Sequence, residues 1–470
     1  MREGLARSEV LHEFEIPSVW LSEKKANPLF ELDEGEIVRI PNFLSLLQKP
    51  QNLVRSLVNL RLKIGWDRLL CAPVLPHQVP PLFYLGVDLF EPSFAELCAT
   101  MDMRTTYRGI FEGAKDNILN LKEIVEECKL TLKRGELREM VETYSSISPE
   151  NMLILKTIDR EFSKLFQRYS PISRPRCLCS IRQSFKRPEI LRFSDWVREN
   201  YIPSSNLILL LPCSARKPYS QSQSHKKILK ALKGIRKYLC EFIYTSPIGI
   251  VPRELERVFP AAHYDIPVEG EWYPEEKERI NKILKKVLKR VENPRVWVVG
   301  NEKDRKLFEF EIFSFHQLKN LKHEILKEIN SQNPSKSNLQ SSSIKTIFDY
   351  QFGIGAGERI LRSTKSIKTK PLRLFSEKQL ALQNKSGFFT LTLEGAKVLK
   401  EYKWIEIHDF ELKGDLFVPG IKGFSSNIRV GDEVSILRKN NVVGVGRALM
   451  PTEEIREREK GLCVKVRRRI

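Results

Sequence analysis

The sequence lacks any run of about 18 uninterrupted apolar residues, the length at which a segment is read as a transmembrane helix. Its first twenty residues also lack the apolar block and small-residue cleavage site of a signal peptide. These two absences predict a cytoplasmic protein with no membrane partner.

Cysteine is scarce, with eight scattered residues in 470. In a cytoplasmic chain of this length they do not indicate a disulfide framework. The one close pair, Cys177 and Cys179, is followed by no third cysteine or nearby histidine before Cys213, whereas a zinc site needs four ligands. We therefore expect no metal, and nothing in the sequence requires another cofactor.

The charge is strongly one-sided. Lys plus Arg number 79 and Asp plus Glu 59, which gives a formal net charge of +20. Such an excess favours a polyanionic partner, because each neutralised phosphate releases counterions. A solvated basic surface is the alternative, and charge alone does not choose between the two.

Several segments show the periodicity of regular structure. The length predicts three or four domains, and 41% hydrophobic with 29% charged residues is typical of a globular chain. The first 175 residues are mixed α/β, with a short buried strand and loop at 81–88 and a helix at 117–141 broken at Gly135. Serine-, proline- or asparagine-rich linkers are predicted near 170–188 and 330–343. Strands at 207–211, 242–244 and 296–300 alternate with helices at 226–238 and 275–291, which predicts a largely parallel sheet covered on both faces. Short β-like runs in the last 70 residues predict a compact barrel.

One segment collects reactive side chains directly after the first of these strands. It runs PCSARKPYSQSQSH from Pro212 to His225 and then enters a helix. Ligands of open α/β sheets bind beyond the carboxyl ends of strands, where Cys213 would lie. Lys217 and the helix N-terminus favour a thiolate, and His225 or Lys217 could move protons. The alternative, which residue types alone favour, is a buried inert Cys213 with Ser224 capping the helix.

A second group of polar residues lies in a proline-rich stretch between a strand and a helix. It comprises Arg253, Glu254, His263 and Asp265. The histidine and aspartate form either an oriented acid–base pair or a surface pair.

Two other features have plain interpretations. The lysines at 226–237 are expected to be a solvated helix face. The glycines at 353–357 follow no apolar strand, so a turn is predicted there.

The segment from Pro212 resembles the signature of archaeosine synthases. That signature is Pro-Cys, three residues, Lys-Pro-Tyr, two residues, Ser, two residues and His, and the chain matches all seven positions: Pro212, Cys213, Lys217, Pro218, Tyr219, Ser222 and His225. Stretches at 246–256, 260–265 and 349–357 are similar to the same family. Residues 417–421, 428–434 and 443–448 resemble a PUA domain. The resemblance reverses the preference for an inert Cys213.

Upstream, residues 84–90 and 135–141 resemble a reduced tRNA-guanine transglycosylase domain, with an incomplete metal-binding set. The resemblance implies a multidomain α/β fold. Its parts are a degenerate, reduced TIM-barrel-like domain at 1–175, a three-layer parallel-sheet core at 185–330, a linker at 331–343, a small α+β domain at 344–399, and a PUA pseudobarrel at 400–470.

The resemblance also implies a reaction. The family adds the side-chain amine of free lysine to the nitrile of 7-cyano-7-deazaguanine at position 15 of archaeal tRNA, and a radical-SAM partner protein then cleaves the adduct. Cys213 is expected to attack the nitrile as a thioimidate-forming nucleophile. His225 or His263 would relay the proton. We expect substrate contacts from Lys217, Tyr219, Ser222, Arg253, Glu254 and Asp265, with Arg253 on the carboxylate of lysine and Asp265 or Glu254 on its α-amino group. Base exchange of the transglycosylase type and a non-catalytic tRNA-binding subunit are the alternatives.

Overall fold

The computed structural model describes residues 31–32, 37–40, 43–113, 116–267 and 271–470. They form two compact units. The first comprises the described residues up to 172 with 405–434 and 446–467, and the second comprises 173–404 with 435–445 and 468–470. No helix among the described residues is long and apolar enough to cross a bilayer.

The N-terminal segment combines a small sheet with eight helices among its described residues. Strands β2, β3 and β4 are parallel, and β1 pairs with β2 in the antiparallel sense. The strands are β1 (Glu31–Leu32), β2 (Ile37–Arg39), β3 (Leu69–Pro73), β4 (Leu89–Glu91), β5 (Met103–Thr106) and β6 (Gly109–Glu112). The helices are α1 (Phe43–Leu47), α2 (Pro50–Ile64), α3 (Val79–Tyr84), α4 (Ser93–Thr100), α5 (Asn117–Arg134), α6 (Leu137–Ser145), α7 (Pro149–Glu161) and α8 (Ser163–Tyr169).

The predicted helix break at Gly135 is confirmed. Helix α5 begins where the Asp116 side chain accepts a hydrogen bond from the Leu119 amide, and it ends at Gly135 with φ +74°. A left-handed C-cap of this kind favours glycine, because other residues carry a steric cost there. The chain then turns directly into α6.

The predicted strand at 81–88 is wrong. Its first four residues belong to α3, which is buried on every side. An apolar run without polar interruptions fits a buried helix as well as a buried strand, so periodicity could not choose. Asp88 lies before β4, where it accepts hydrogen bonds from the Leu70 amide at 2.9 Å and from Arg61 at 2.6 Å. The described strands of this segment form an open four-stranded sheet and a hairpin, and the reduced barrel stays a prediction.

The central segment is built on a five-stranded sheet with the order β10-β9-β8-β12-β13. The neighbours β9, β8, β12 and β13 are parallel, while β10 turns back antiparallel to β9. Strand β8 is buried from Leu207 to Leu211, as expected for a strand in the middle of a parallel sheet. Helices α9 and α11 pack against each other and against β10, and α10 packs near α12. The elements are β7 (Cys177–Leu178), α9 (Pro188–Asn200), β8 (Leu207–Pro212), α10 (Gln223–Ala231), β9 (Cys240–Thr245), β10 (Gly249–Pro252), β11 (Tyr264–Asp265), α11 (Pro274–Leu288), β12 (Arg295–Val299), β13 (Ile312–Phe313) and α12 (Leu318–Gln332).

The three predicted core strands are therefore confirmed, and so is the helix that starts near residue 275. The helix predicted at 226–238 is shorter: α10 ends at Ala231, and a separate 3₁₀ turn covers Arg236–Tyr238. The three-layer arrangement stays a prediction.

The two predicted linkers are ordered over most of their length. Strand β7 pairs parallel to β11, and Arg174, Cys177 and Cys179 of the first linker are buried. In the second, α12 runs to Gln332 and the next helix begins at Leu339. Serine and asparagine were misleading here because Asn338 caps that helix, accepting from the amides of residues 340 and 341.

The rest of the chain consists of small sheets and short helices. The predicted turn at 353–357 is confirmed, with Gly353 at φ +131° and Gly355 at φ +92°. Strands β14–β17 form an antiparallel meander. In the C-terminal sheet, β18 pairs with β20 and β19 with β23, both antiparallel. The elements are α13 (Leu339–Phe352), α14 (Ala356–Arg362), β14 (Ser366–Thr369), β15 (Leu372–Phe375), β16 (Gln379–Gln383), β17 (Phe389–Leu391), α15 (Leu393–Val398), β18 (Trp404–Ile407), β19 (Leu416–Phe417), β20 (Ile421–Phe424), β21 (Glu433–Arg438), β22 (Asn441–Ala448), α16 (Thr452–Glu457) and β23 (Leu462–Arg469).

Candidate active site

A cavity of about 570 Å³ lies in the second unit at the carboxyl ends of β8, β9 and β12. The residues that follow each of these strands line it: Cys213 after β8, Thr245 at the end of β9, and Asn301 after β12. This is where ligands bind in open α/β sheets, because the loops that leave parallel strands converge at that edge. Pairing of β7 with β11 adds Cys179 and Asp265 to the cavity wall.

Cys213 is the one exposed residue among the eight cysteines, all of which lie in the described part of the chain. Cys213 is exposed and lines the cavity, yet the cavity walls exclude much of the water around its thiol. This burial raises the pKa of the Cys213 thiol, while a hydrogen bond with Thr245 and the charge of Lys217 act to lower it. The thiol is thus accessible and largely protonated, with a cationic neighbour that favours its thiolate.

Lys217 lies on the same side of the cavity. Its ammonium nitrogen is 3.8 Å from the centre of the Tyr264 ring. Burial lowers the pKa of Lys217, and the nearby Cys213 and Asp265 partly offset that effect. The Tyr264 hydroxyl in turn hydrogen-bonds to Tyr219 at 2.9 Å and to Thr245 at 2.5 Å. Tyr219 is fully buried behind Tyr264 and does not line the cavity, so its contact with a substrate would be indirect.

His225 is fully buried and does not line the cavity. Its Nδ1 lies 3.0 Å from an Arg253 guanidinium nitrogen, and its Nε2 lies 2.8 Å from the carbonyl oxygen of Pro212. Because a guanidinium only donates, Nδ1 accepts and Nε2 carries the hydrogen that it donates to Pro212. Burial and the Arg253 charge lower the pKa of His225 to about 4. His225 therefore holds the peptide before Cys213 as a neutral ring.

Ser222 also supports the cysteine loop from behind. Its hydroxyl accepts a hydrogen bond from the His225 amide at 3.2 Å and caps α10. The cap is therefore Ser222, and the assignment of Ser224 was wrong.

Arg253 and Glu254 lie outside the main cavity. Arg253 donates to Glu241 at 2.8 Å and to Glu256 at 2.7 Å, in addition to His225. Glu254 accepts hydrogen bonds from the Tyr201 hydroxyl at 3.1 Å and from Ser342 at 3.2 Å, and burial raises its pKa. Both line a smaller cavity of about 300 Å³. The structure thus does not place Arg253 where it could pair with a ligand beside Cys213.

The histidine and aspartate of the second cluster are separated. Asp265 lines the cavity and is exposed, with its carboxylate 2.8 Å from Arg176. His263 does not line the cavity; its ring packs near Phe259, and burial lowers its pKa. They do not form an acid–base pair.

The sequence interpretation missed Thr245, Trp272 and Asp304. Asp304 is buried in the cavity wall, where it accepts hydrogen bonds from the Asn301 amide at 2.9 Å and from the Trp272 indole at 3.3 Å. A Cβ at Gly300 would lie 2.7 Å from Asp304 Oδ2, so glycine leaves the space that this carboxylate fills. The sequence did contain a signal for this part of the site, since Thr245 and Asn301 directly follow predicted strands and ligands bind beyond the carboxyl ends of such strands.

Asp304 provides a test of the electrostatics around the thiol. Its negative charge helps to raise the pKa of Cys213, so Asp304→Asn should lower that pKa and increase the thiolate fraction below it. We expect alkylation of Cys213 by iodoacetamide at pH 7.5 to become about threefold faster, which corresponds to half a pKa unit. Peptide mass spectrometry measures the rate. Asp265→Asn is the matched control and should change it little; an unchanged rate in Asp304→Asn would contradict the prediction.

His225 makes the stability of the fold depend on pH. Its pKa in the folded protein is about 4, below the usual 6.5, so between these values the unfolded chain binds more protons. The free energy of unfolding should therefore fall as the pH drops from about 6.5 to about 4, by roughly 3 kcal/mol in total. Urea unfolding across this range measures it. His225→Gln, which does not titrate, should show a correspondingly shallower decrease; equal slopes for the two proteins would refute the assignment.

Three consecutive segments match known families. Residues 190–336 match a domain of unknown function (DUF5591), residues 342–403 match the patch-forming domain C2 of tRNA-guanine transglycosylase, and residues 406–470 match the PUA domain. The cavity with Cys213 lies largely in the first of these. A C2 domain of tRNA-guanine transglycosylase followed by a PUA domain indicates a protein of tRNA modification.

Full-length relatives identify the family. The chain is 31% identical to archaeosine synthase subunit alpha of Thermoplasma acidophilum, over 93% of this chain and 88% of the relative. It is also 31% identical to the archaeosine synthase of Methanocaldococcus jannaschii, over 93% and 80% of the two chains. A tRNA-guanine(15) transglycosylase of Methanobrevibacter smithii is 26% identical over 74% of this chain and 54% of that protein. The protein belongs to the archaeosine synthase family.

Proposed function

We propose that the protein adds free lysine, through its side-chain amine, to the nitrile of 7-cyano-7-deazaguanine at position 15 of tRNA. The observation that carries this proposal is the position of Cys213, an accessible thiol at the carboxyl edge of a parallel sheet in a cavity of about 570 Å³. A nitrile carbon is electrophilic, and a thiol nucleophile splits its conversion to an amidine into two easier steps.

In the first step Lys217, in its uncharged amine form, removes the thiol proton, and the Cys213 sulfur attacks the nitrile carbon. A carbon–sulfur bond forms, one π bond of the nitrile breaks, and the proton passes from Lys217 to the nitrile nitrogen, giving a thioimidate. The raised pKa of Cys213 and the lowered pKa of Lys217 support this exchange, because they bring the proton affinities of the two groups closer together.

In the second step the neutral side-chain amine of lysine attacks the thioimidate carbon. A carbon–nitrogen bond forms, the carbon–sulfur bond breaks, and a proton from the amine returns to the sulfur through Lys217. The product is an amidine, with the thiol and Lys217 restored. This assigns proton transfer to Lys217, since His225 and His263 do not line the cavity.

The free lysine needs partners for its α-ammonium and α-carboxylate. Of the two carboxylates that the sequence predicts for the ammonium, Asp265 and Glu254, we assign Asp265, because it lines the cavity. The carboxylate partner changes from Arg253 to Arg182, which also lines the cavity and stacks its guanidinium 4.6 Å from the Tyr273 ring centre. An arginine fork suits a carboxylate ligand. We further propose that a radical-SAM partner protein cleaves the adduct and that the protein acts in the cytoplasm. The domains keep their predicted bounds, except that most of the segment 331–343 belongs to α12 and α13.

Incubation with isotopically labelled lysine and tRNA bearing 7-cyano-7-deazaguanine tests the reaction, with nucleoside mass spectrometry as the readout. We expect a nucleoside heavier by one labelled lysine, and no such product from tRNA that carries guanine at position 15. Tight, salt-dependent tRNA binding without any adduct would instead favour an RNA-binding subunit. Release of a free base would favour exchange chemistry.

A further inference from the structure

The segment around α10 has an unusual charge. From Asn200 to Cys240 the sequence contains no aspartate or glutamate, whereas it contains eight arginine and lysine residues. Four of these form what we term the lysine face, on α10 and the turn that follows it: Lys226, Lys227, Lys230 and Lys233. All four are exposed. Ordinary solvated helices of this protein mix signs, as in α12, where Lys327 pairs with Glu324 at 2.8 Å.

The lysine face has no counter-charge within the part of the chain that the structure describes. None of its four ammonium groups lies within ion-pair distance of a carboxylate there, and the basic residue of this run that is paired, Arg236, is bound to Glu241. Lys226 and Lys230 are four positions apart on a helix, a spacing at which like charges repel. An arrangement that costs stability in the free protein is relieved when a polyanion neutralises it.

The position of α10 ties the lysine face to the active-site cavity. Its first turn is fixed by the Ser222 cap and by the hydrogen bond from His225 to the Pro212 carbonyl, the residue before Cys213. Lys226 and Lys227 follow immediately. Lys226 and Lys230 are separated by about 6 Å along the helix axis. The face is therefore a short row of positive charge that begins at the residue after His225, which contacts Pro212 of the cavity wall.

We propose that the lysine face binds the sugar-phosphate backbone of the tRNA beside the nucleotide that enters the cavity. This inference rests on the proposed function, since it assumes that the nucleotide enters at Cys213. Phosphates suit the face because it presents four exposed ammonium groups, which attract a polyanion without reading its bases. The face holds the nucleic acid in register, and the cavity selects the base.

The test compares two variants with equal loss of charge. One replaces all four residues of the lysine face (K226Q, K227Q, K230Q and K233Q). The other replaces four exposed lysines in the C-terminal half of α11 and at its C-cap (K282Q, K285Q, K286Q and K289Q). The cavity is lined by the other end of this helix, at Tyr273 and Glu276. The affinity for an unmodified tRNA transcript is measured between 0.1 and 1 M salt. Neither lysine nor the nitrile base is present, so the result does not depend on the proposed chemistry.

For the lysine-face variant we expect the slope of log affinity against log salt to become shallower by about 3, since each lost phosphate contact contributes about 0.7–0.9. Affinity at 0.1 M salt should fall by roughly two to three orders of magnitude. The α11 variant should bind nearly as the wild type does. A melting temperature no lower than that of the wild type and an unaltered alkylation rate of Cys213 show that each variant is folded.

Equal weakening by both variants would overturn the proposal, because it would mean that the positive charge acts diffusely. Unchanged tRNA binding by the lysine-face variant would also overturn the proposal. That result would favour an acidic protein as the partner of this face. In either case a normal yield of lysine adduct from the variant would leave the proposed reaction intact. Conversely, if the wild-type protein formed no lysine adduct while the two variants bound tRNA as expected, the proposed reaction would fail and the role of the lysine face would stand.

Discussion

Cys213→Ala should abolish transfer of lysine to the nitrile base, with a rate at least about a thousandfold below that of the wild type, as for other enzymes that lose their nucleophile. Without the sulfur there is no thioimidate, and free amines add to an unactivated nitrile slowly. The folded state should tolerate the change, since the residue is exposed. Labelled lysine incorporated into tRNA measures the rate.

Two further variants make that result specific. Cys213→Ser keeps the size of the side chain but offers an alcohol, whose alkoxide is far less accessible near neutral pH, so its activity should also be very low. Cys98→Ala removes a partly exposed cysteine of the other unit and should leave the rate unchanged. Substantial turnover by Cys213→Ser would show that the sulfur is not the nucleophile.

The intermediate can be observed directly. In the absence of lysine, wild-type protein and nitrile-bearing tRNA should accumulate a covalent protein–RNA species, which addition of lysine should convert to modified tRNA and free protein. The Cys213→Ala variant should form no such species while still binding the tRNA. Denaturing electrophoresis separates the covalent species from the non-covalent complex.

The sequence was sufficient to locate Cys213 because two local signals coincide there. The apolar run at 207–211 predicts a buried strand, and ligand sites of parallel sheets follow the carboxyl ends of such strands. Thr245 and Asp304 lie roughly 30 and 90 residues further along the chain. They join Cys213 through the strand order β9-β8-β12, which the order of elements in the sequence does not reveal.

The prediction that Arg253 and Glu254 bind the substrate beside Cys213 was wrong, because the chain changes direction between β9 and β10. After β9 reaches the cavity edge, β10 returns antiparallel to it, and the turn uses Gly249 at φ +99°. This reversal carries Arg253 and Glu254 away from the cavity edge and into their own hydrogen-bond network. His225 also belongs to the matched motif, but its place in α10 turns the ring into the interior of the protein. It therefore positions the Pro212 peptide and does not act on a substrate.

Arg253→Ala should have the largest effect on stability among the residues of this region. Its guanidinium neutralises two buried carboxylates, those of Glu241 and Glu256, whose side chains are 4% and 7% exposed. Glu241 keeps its second partner, Arg236, but Glu256 is left as a buried charge without its arginine. Loss of one partner of a buried pair typically costs about 3–5 kcal/mol. Chemical unfolding measures the loss. Arg176→Ala provides the comparison, because Arg176 pairs with Asp265 in a salt bridge whose side chains are more than half exposed, and it should cost less than about 1 kcal/mol.

Steady-state kinetics on the folded fraction separate the two roles that Arg253 has been given. A residue that binds the carboxylate of lysine would raise the KM for lysine when it is removed. A residue that holds His225, and through it the Pro212 carbonyl, would instead lower kcat by displacing Cys213. We expect Arg253→Lys, which keeps the positive charge but loses the fork that reaches Glu241, Glu256 and His225 together, to lower kcat with an unchanged KM for lysine. A raised KM for lysine at unchanged kcat in Arg253→Lys would restore the substrate-binding role of Arg253. If Arg182 is the residue that holds the carboxylate, Arg182→Ala should raise the KM for lysine at unchanged kcat.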